Sequence, residues 1–216
     1  RGPAVLALDT RESVASLRAA IRVGARGFYL WPGERDALAG ATAATVAAPP
    51  AGEKRAVVVA VHGARGGVGS TFVATHLAQA FARRRLDCVV LDADPTYGDL
   101  SSAVGVPEEE VHTIADLVPL VHELTAVHLA DALWGHPAGF RVLAAPVAER
   151  AALVTRDDLA TILRVAASSC DVVVVSLPRE LGDLTSAALE IADHLLEVLS
   201  LDVLSFRAAT RAIEVV

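Results

Sequence analysis

The sequence of 216 residues contains no methionine and one lysine, Lys54, against 18 arginines, and it begins at Arg1. We therefore expect a piece of a longer chain. It has two cysteines, Cys88 and Cys170, each beside an apolar strand-like run. They are expected to be small buried hydrophobes, with no disulfide framework. No stretch runs eighteen apolar residues without a charge or a Gly/Pro break, which excludes a spanning helix. No charged-then-apolar leader opens the chain, so nothing points to export. Long runs of one charge are also missing, and the net charge of -7 argues against a protein that coats nucleic acid. What is present is a core: 53% hydrophobic and 21% charged residues exclude disorder as the main state. A chain of this length hides roughly 70% of its extended surface.

The stretch 48–55 (Ala-Pro-Pro-Ala-Gly-Glu-Lys-Arg) interrupts the apolar periodicity, because two prolines and a glycine continue neither a helix nor a central strand. We read it as a linker between 1–47 and 56–216. The first piece predicts strands over 5–8 and 28–31. A helix carries Val14, Leu17 and Ile21 at helical spacing with Gly24 at its C-cap, and a last helix covers 36–45. Two strands cannot close a core alone. The second piece predicts strands over 56–61, 88–91, 140–144, 171–175 and 194–199. Its main helices are one carrying Val73, Leu77, Ala80 and Phe81, then 113–123, 156–167 and 185–192. Near-continuous apolar strands alternating with helices imply an α/β fold whose mainly parallel sheet is covered on both faces.

Between the first strand and first helix of that second piece stands His62-Gly63-Ala64-Arg65-Gly66-Gly67-Val68-Gly69-Ser70-Thr71. Glycines let backbone N–H groups turn inward around an anion, and a helix N-terminus adds its dipole. Residues Ala64, Arg65, Gly66, Gly67, Val68, Gly69, Ser70 and Thr71 are the candidate phosphate cradle. After the second strand come Asp92 and Asp94, then Gly98-Asp99. Carboxylates at a strand's C-terminal end, facing a phosphate loop, suit metal-assisted chemistry; an Asx-turn is the other use of such a residue. The apolar run 171–175 leads to Ser176, then Pro178 and Arg179, the last either a solvated loop arginine or an anion contact. Arg83-Arg84-Arg85 ends a helix and either complements its dipole or forms an anionic-surface patch. Trp134-Gly135 is read as a turn, and Glu108-Glu109-Glu110 as a helix N-terminal run. The seven histidines lack a paired zinc-ligand spacing.

The loop resembles the deviant Walker A motif of the ParA/MinD superfamily of P-loop NTPases. It keeps Gly66, Gly67, Gly69 and Thr71 but departs at both lysines and at the first glycine of the general motif. By that resemblance Arg65 stands where a signature lysine reaches across a dimer, Ser70 where the P-loop lysine holds the terminal phosphates, and Ala64 where that first glycine stands. Thr71 and Asp92 lie by Mg²⁺, and Asp94 orients the attacking water. Ser176 stands at the Walker B carboxylate position. The stretch 1–47, with Gly27-Phe28-Tyr29-Leu30-Trp31-Pro32, resembles the C-terminal part of a response-regulator receiver. Trp31 takes the place of its lysine and Asp9 that of its Thr or Ser, which implies an atypical receiver that does not switch by phosphorylation.

The pairing of these two pieces is similar to the CpaE/TadZ pilus-assembly family, in its actinobacterial, septum-site-determining-like branch. Further similar strings run over 94–100, 140–146, 175–179, 192–198 and 202–207. The resemblance implies a cytoplasmic factor that binds ATP and Mg²⁺, forms a homodimer, hydrolyses weakly or not at all, and recruits the assembly ATPase and other components of a type IV (Flp/Tad) pilus or secretion system. Recruitment to the pole, septum or inner membrane face would go through those partners. Two alternatives remain at this point: a working ParA/MinD-type ATPase that positions DNA or the septum, and a nucleotide-free interaction scaffold.

Overall fold

The computed structural model of the protein describes residues 4–22, 24–44 and 55–215. The expected linker at 48–55 falls, Arg55 apart, outside them, as does Thr45 at the end of the expected helix.

Strands β1 (Ala4–Asp9), β2 (Gly27–Leu30), β3 (Val57–His62), β4 (Cys88–Asp92), β5 (Trp134–Gly135), β6 (Arg141–Leu143), β7 (Val172–Ser176) and β8 (His194–Glu197) form one sheet, in the order β2-β1-β8-β3-β7-β4-β6-β5. Every pairing is parallel except β5 with β6. Residues 134–135, read from the sequence as a turn, thus make a short antiparallel edge, where His136 stacks on Phe140 at 4.3 Å. The two N-terminal strands form no sheet of their own. β1 pairs with β8 through Ala4–His194, Val5–Leu195 and Leu6–Leu196, so 4–30 extends the sheet of the second piece.

Val-rich strands buried on both faces divide their side chains by alternation. Val58 and Ala60 of β3 join one apolar layer with α5 (Ile114–Leu117), α6 (Ala126–Ala132), α8 (Arg156–Ser169) and α9 (Asp183–Ile191). Val59 and Val61 join the opposite layer with α2 (Arg35–Ala44), α3 (Ser70–Arg83) and α4 (Leu100–Val104). The stripe Val73, Leu77, Ala80, Phe81 is buried there, as its 3.6-residue period requires. Helix α8 starts at a capping box in which Thr155 Oγ1 accepts from Asp158 N at 3.2 Å and Asp158 accepts from Thr155 N at 3.0 Å. The expected helix over 113–123 splits into α5 and a 3₁₀ turn, Val118–Glu123, with Pro119 in that turn's first positions. Glu108–Glu110 is likewise a 3₁₀ turn rather than the start of an α-helix. Short α7 (Ala148–Ala151) and terminal α10 (Val203–Val215) complete the chain order.

Helix α1 (Val14–Arg22) forms where its spacing predicts, and Gly24 ends it at φ +74°. Its apolar stripe does not meet the core, however: Val14, Leu17 and Ile21 are exposed, and the buried positions are Ser16 and Ala20. Trp31, just past β2, is buried edge-on to Phe72 and His76 of α3 at 5.6 and 5.8 Å. Arg84 Nη2 donates to the Asp36 carbonyl at 2.7 Å. Trp31 therefore packs the N-terminal segment onto the helix that follows the glycine loop. One member of the arginine cluster ties that helix to α2.

Candidate functional site

β3 delivers the chain to the loop at His62, and α3 begins at Ser70, so the loop lies at the C-terminal edge of the sheet, where open α/β sheets place their ligands. Gly67 and Gly69 adopt φ +79° and +94°, a left-handed backbone that side chains with a β-carbon rarely hold. Gly63 is needed for space: a β-carbon there would meet Val68 Cγ2 at 2.7 Å. These turns leave an open cavity of about 300 Å³. Its floor is Gly66, Gly67, Ser70 and Thr71, and its far wall comes from β4, β7 and the turns after them. Ala64, Val68 and Gly69 belong to the loop but do not line this cavity.

β4 and β7 are neighbours in register, with Asp92 opposite Ser176, so the two strand ends reach the cavity side by side. Asp92 is almost wholly buried. Its Oδ1 accepts from Asp94 N at 3.2 Å and its Oδ2 from Leu100 N at 3.1 Å. Burial pushes its carboxyl up to about 7, despite those two N–H donors. The approach of Gly98 makes this packing possible: a β-carbon there would lie 2.3 Å from Ala145 Cβ and 2.9 Å from Asp92 Oδ2. Asp94 makes the Asx-type turn: its Oδ1 accepts from Thr96 N and Tyr97 N at 2.9 Å each, and the residue also lines the cavity. Ser176 is buried and lines the cavity with a hydroxyl where an acid would bring charge.

Two arginines line the cavity. Arg65 is held within its own chain. Its Nη1 donates to Asp202 Oδ1 at 2.9 Å and to Ser205 Oγ at 3.3 Å, at the start of α10. Asp202 also accepts from the Ser200 hydroxyl at 2.6 Å and from Ser205 N at 2.9 Å. These donors, with the Arg65 charge, hold its carboxyl well below the usual carboxylate range. The Arg65–Asp202 pair is exposed and hence weak, so it is a tether that a competing anion can release. Arg179 lies on the other wall, with Cζ 4.5 Å above the Tyr97 ring.

Beneath the loop is a pair that the sequence reading did not single out. His62 Nδ1 meets Glu197 Oε2 at 2.5 Å, with both side chains almost fully buried. Glu197 Oε1 accepts from Ala64 N at 3.1 Å, and His62 Nε2 lies 3.2 Å from the Arg179 carbonyl. Burial alone would lower the His62 pKa. The Glu197 carboxylate outweighs it, with help from the Arg179 carbonyl, and the net direction is upward. Both ring nitrogens face oxygen atoms, the Glu197 carboxylate and the Arg179 carbonyl. The strands expected over 56–61 and 194–199 lie beside His62 and around Glu197; the meeting of these two residues was not legible, because they lie 135 positions apart in the chain.

Residues 56–216 match the family model described as an AAA domain. Over 200 residues the chain is 30% identical to an uncharacterized protein of Mycobacterium tuberculosis, covering 93% of this chain and 55% of that protein. Over 161 residues it is 26% identical to an uncharacterized ATP-binding protein of Methanocaldococcus jannaschii, covering 74% of this chain and 59% of that protein. The chain thus spans little more than half the length of these relatives. Among solved structures, a ParA family ATPase from Chlorobium tepidum superposes with a TM-score of 0.69 at 21% identity, over 75% of this chain and 67% of that one. The septum site-determining protein MinD of Pyrococcus horikoshii, complexed with Mg-ADP, gives 0.62 at 20% identity, over 74% and 64%. The glycine loop, the parallel sheet and these matches lead to one conclusion: the chain belongs to the AAA-domain family and has the ParA/MinD type of P-loop NTPase fold.

Proposed function

We propose that the protein binds ATP with Mg²⁺ at the 64–71 loop and acts as a localisation or hub factor for assembly of a type IV Flp/Tad pilus or related secretion system, with weak or absent hydrolysis. One observation carries the nucleotide half: an open cavity whose glycine-built floor is intact, while Ser70 and Ser176 occupy its lysine and acid positions. Hydroxyls at both positions withdraw charge that would stabilise the phosphoryl oxygens and a metal ion in the transition state. Loss of one such contact costs about 10²-fold or more in rate.

The donor set fits Mg²⁺ in reduced form. Thr71 would offer its hydroxyl, and Asp92 would offer a carboxylate once a nearby cation stabilised its ionised form. Asp94 keeps its second oxygen for orienting water, which is the residual route to hydrolysis. ATP would favour a sandwich homodimer, whose surface, together with the N-terminal segment, would dock the assembly ATPase and other Tad components. The pilus role is supported by the family resemblance of the paired pieces. Among the described residues no helix is long and apolar enough to cross a membrane. Recruitment from the cytoplasm to the pole, septum or inner membrane face would therefore rest on partners.

Calorimetric titration with ATP and Mg²⁺, with mass measurement of the oligomer, tests the proposal. Saturable binding with phosphate release near the buffer rate is expected. Brisk metal-dependent turnover that Asp94→Ala abolishes would favour an active ATPase. No heat at millimolar ATP would leave a nucleotide-free scaffold.

A further inference from the structure

We infer that Arg179 is the cation that holds the nucleotide's phosphate chain in this protein, taking over the charge that Ser70 lacks. The inference rests on the nucleotide-binding reading above and assigns that site a positioning residue from outside the loop.

Three observations carry it. First, the guanidinium lies against the loop itself. A β-carbon on Gly66 would sit 3.1 Å from Arg179 Nη1, so the glycine leaves room for the arginine as well as for the anion. Second, the side chain faces the cavity and is held only loosely. Its Cζ stands 4.5 Å over the Tyr97 ring, and its ion pair with Glu180, Nη2 to Oε1 at 3.8 Å, is part-exposed and longer than a hydrogen bond. Arg65, by contrast, has its donors on Asp202 and Ser205. Third, the Arg179 backbone is fixed to the loop from below. Its carbonyl meets His62 Nε2 at 3.2 Å, His62 Nδ1 meets Glu197, and Glu197 accepts from Ala64 N. The residue that carries the charge and the loop that carries the N–H donors are therefore held by one buried connection.

The chemistry suits the task. A planar guanidinium offers paired N–H donors that match two oxygens of a phosphate chain, and a ring face beneath it limits its rotation. Three acids also line the cavity, Asp92, Asp94 and Asp99, so an anionic ligand gains from a local cation. Arg65 would first have to give up Asp202 and Ser205, whereas among the described residues Arg179 has no hydrogen bond of that kind to break.

The test is ATP titration of the wild type, Arg179→Gln, Arg179→Lys, and Arg179→Gln combined with Ser70→Lys. Arg179→Gln should weaken ATP binding by about 10- to 100-fold, the range for losing a hydrogen bond to a charged group. Arg179 is part-exposed, so its unliganded melting temperature should match the wild type. Arg179→Lys keeps the charge without the fork and should fall between the two. Restoring lysine at 70 should recover most of the loss, which a merely structural Arg179 would not allow. If the wild type binds ATP and Arg179→Gln binds equally well, the inference is overturned and the nucleotide-binding reading survives. If Ser70→Lys gives no rescue, Arg179 is a stacking partner of Tyr97 and the inference again falls. If the wild type binds no ATP, both fall together.

Discussion

Replacing Glu197 by alanine tests how far the loop depends on what lies beneath it. The change removes the carboxylate from a pair that is 2% and 3% exposed at its two side chains, and it strands two donors, His62 Nδ1 and Ala64 N–H. Breaking one partner of a buried ion pair costs about 3–5 kcal/mol, because the survivor keeps its desolvation penalty. At about 2–4 °C per kcal/mol for a chain of this size, the melting temperature should fall by roughly 6–20 °C. Glu197→Gln should cost far less, since an amide still accepts from Ala64 N and donates to a neutral His62. The two variants also differ in pH response. The pKa of His62 in the fold is raised above its ordinary 6.5, so the native state binds the proton more tightly than the unfolded state. That stability is fully present below pH 6.5 and is lost as pH rises through the folded value, at no more than about 1.4 kcal/mol per pH unit. Asp92, raised to about 7, adds a decline of the same sign up to neutrality; comparing the wild type with Glu197→Gln cancels it and leaves the His62 contribution. Urea denaturation at pH 6, 7, 8 and 9 is the assay. A loss below about 1 kcal/mol for Glu197→Ala at pH 6, or equal pH slopes for the wild type and Glu197→Gln, would refute the pair.

Further expectations rest on single contacts. Gly98→Ala drives a β-carbon to 2.3 Å from Ala145 Cβ and 2.4 Å from the Asp94 carbonyl. It should lower stability by about 1–3 kcal/mol in denaturant titration, and a neutral effect would contradict the close approach. Arg65→Ala removes an exposed tether to Asp202 and should leave the melting temperature unchanged, whereas a clear drop would make that tether structural. Ser70→Lys with Ser176→Asp returns charge to both altered positions and should raise Mg²⁺-dependent phosphate release by about 10²-fold or more. Release still at the buffer rate would show that these two hydroxyls are not what limits hydrolysis.

How much of this was legible in the sequence depends on the range of the contacts involved. The glycine loop was legible because its geometry is local: φ +79° at Gly67 and +94° at Gly69 restrict the residue type at each position by itself. Five of the six strands described in 56–216 were legible because their apolar runs, such as 172–175, are buried; the short edge strand Trp134–Gly135 has no such run and was read as a turn. Stripe spacing served α3 and misled for α1. Periodicity reports that a helix has an apolar side, not that something covers it, and in α1 that side faces solvent. The place of β1 beside β8 was equally hidden, since parallel partners need not be near in sequence and nothing in 4–9 encodes Leu195 as a neighbour.

The candidate site divides in the same way, and the division bears on how it works. Its floor comes from one continuous stretch, and its far wall from two strands whose paired ends, Asp92 and Ser176, lie 84 positions apart. Arg65 keeps a positive charge on the loop but spends its donors on Asp202. Arg179, over 100 positions downstream of the loop, brings its guanidinium back to Gly66. Read from motifs alone, the loop has simply lost a cation. In the fold, the cavity wall still presents one, on a backbone that His62 and Glu197 bind to the loop, while Ser176 brings only a hydroxyl and the wall's acids are Asp92, Asp94 and Asp99. On the proposed reading, a site with a cation on its wall but hydroxyls at 70 and 176 should bind a phosphate chain more readily than it breaks one.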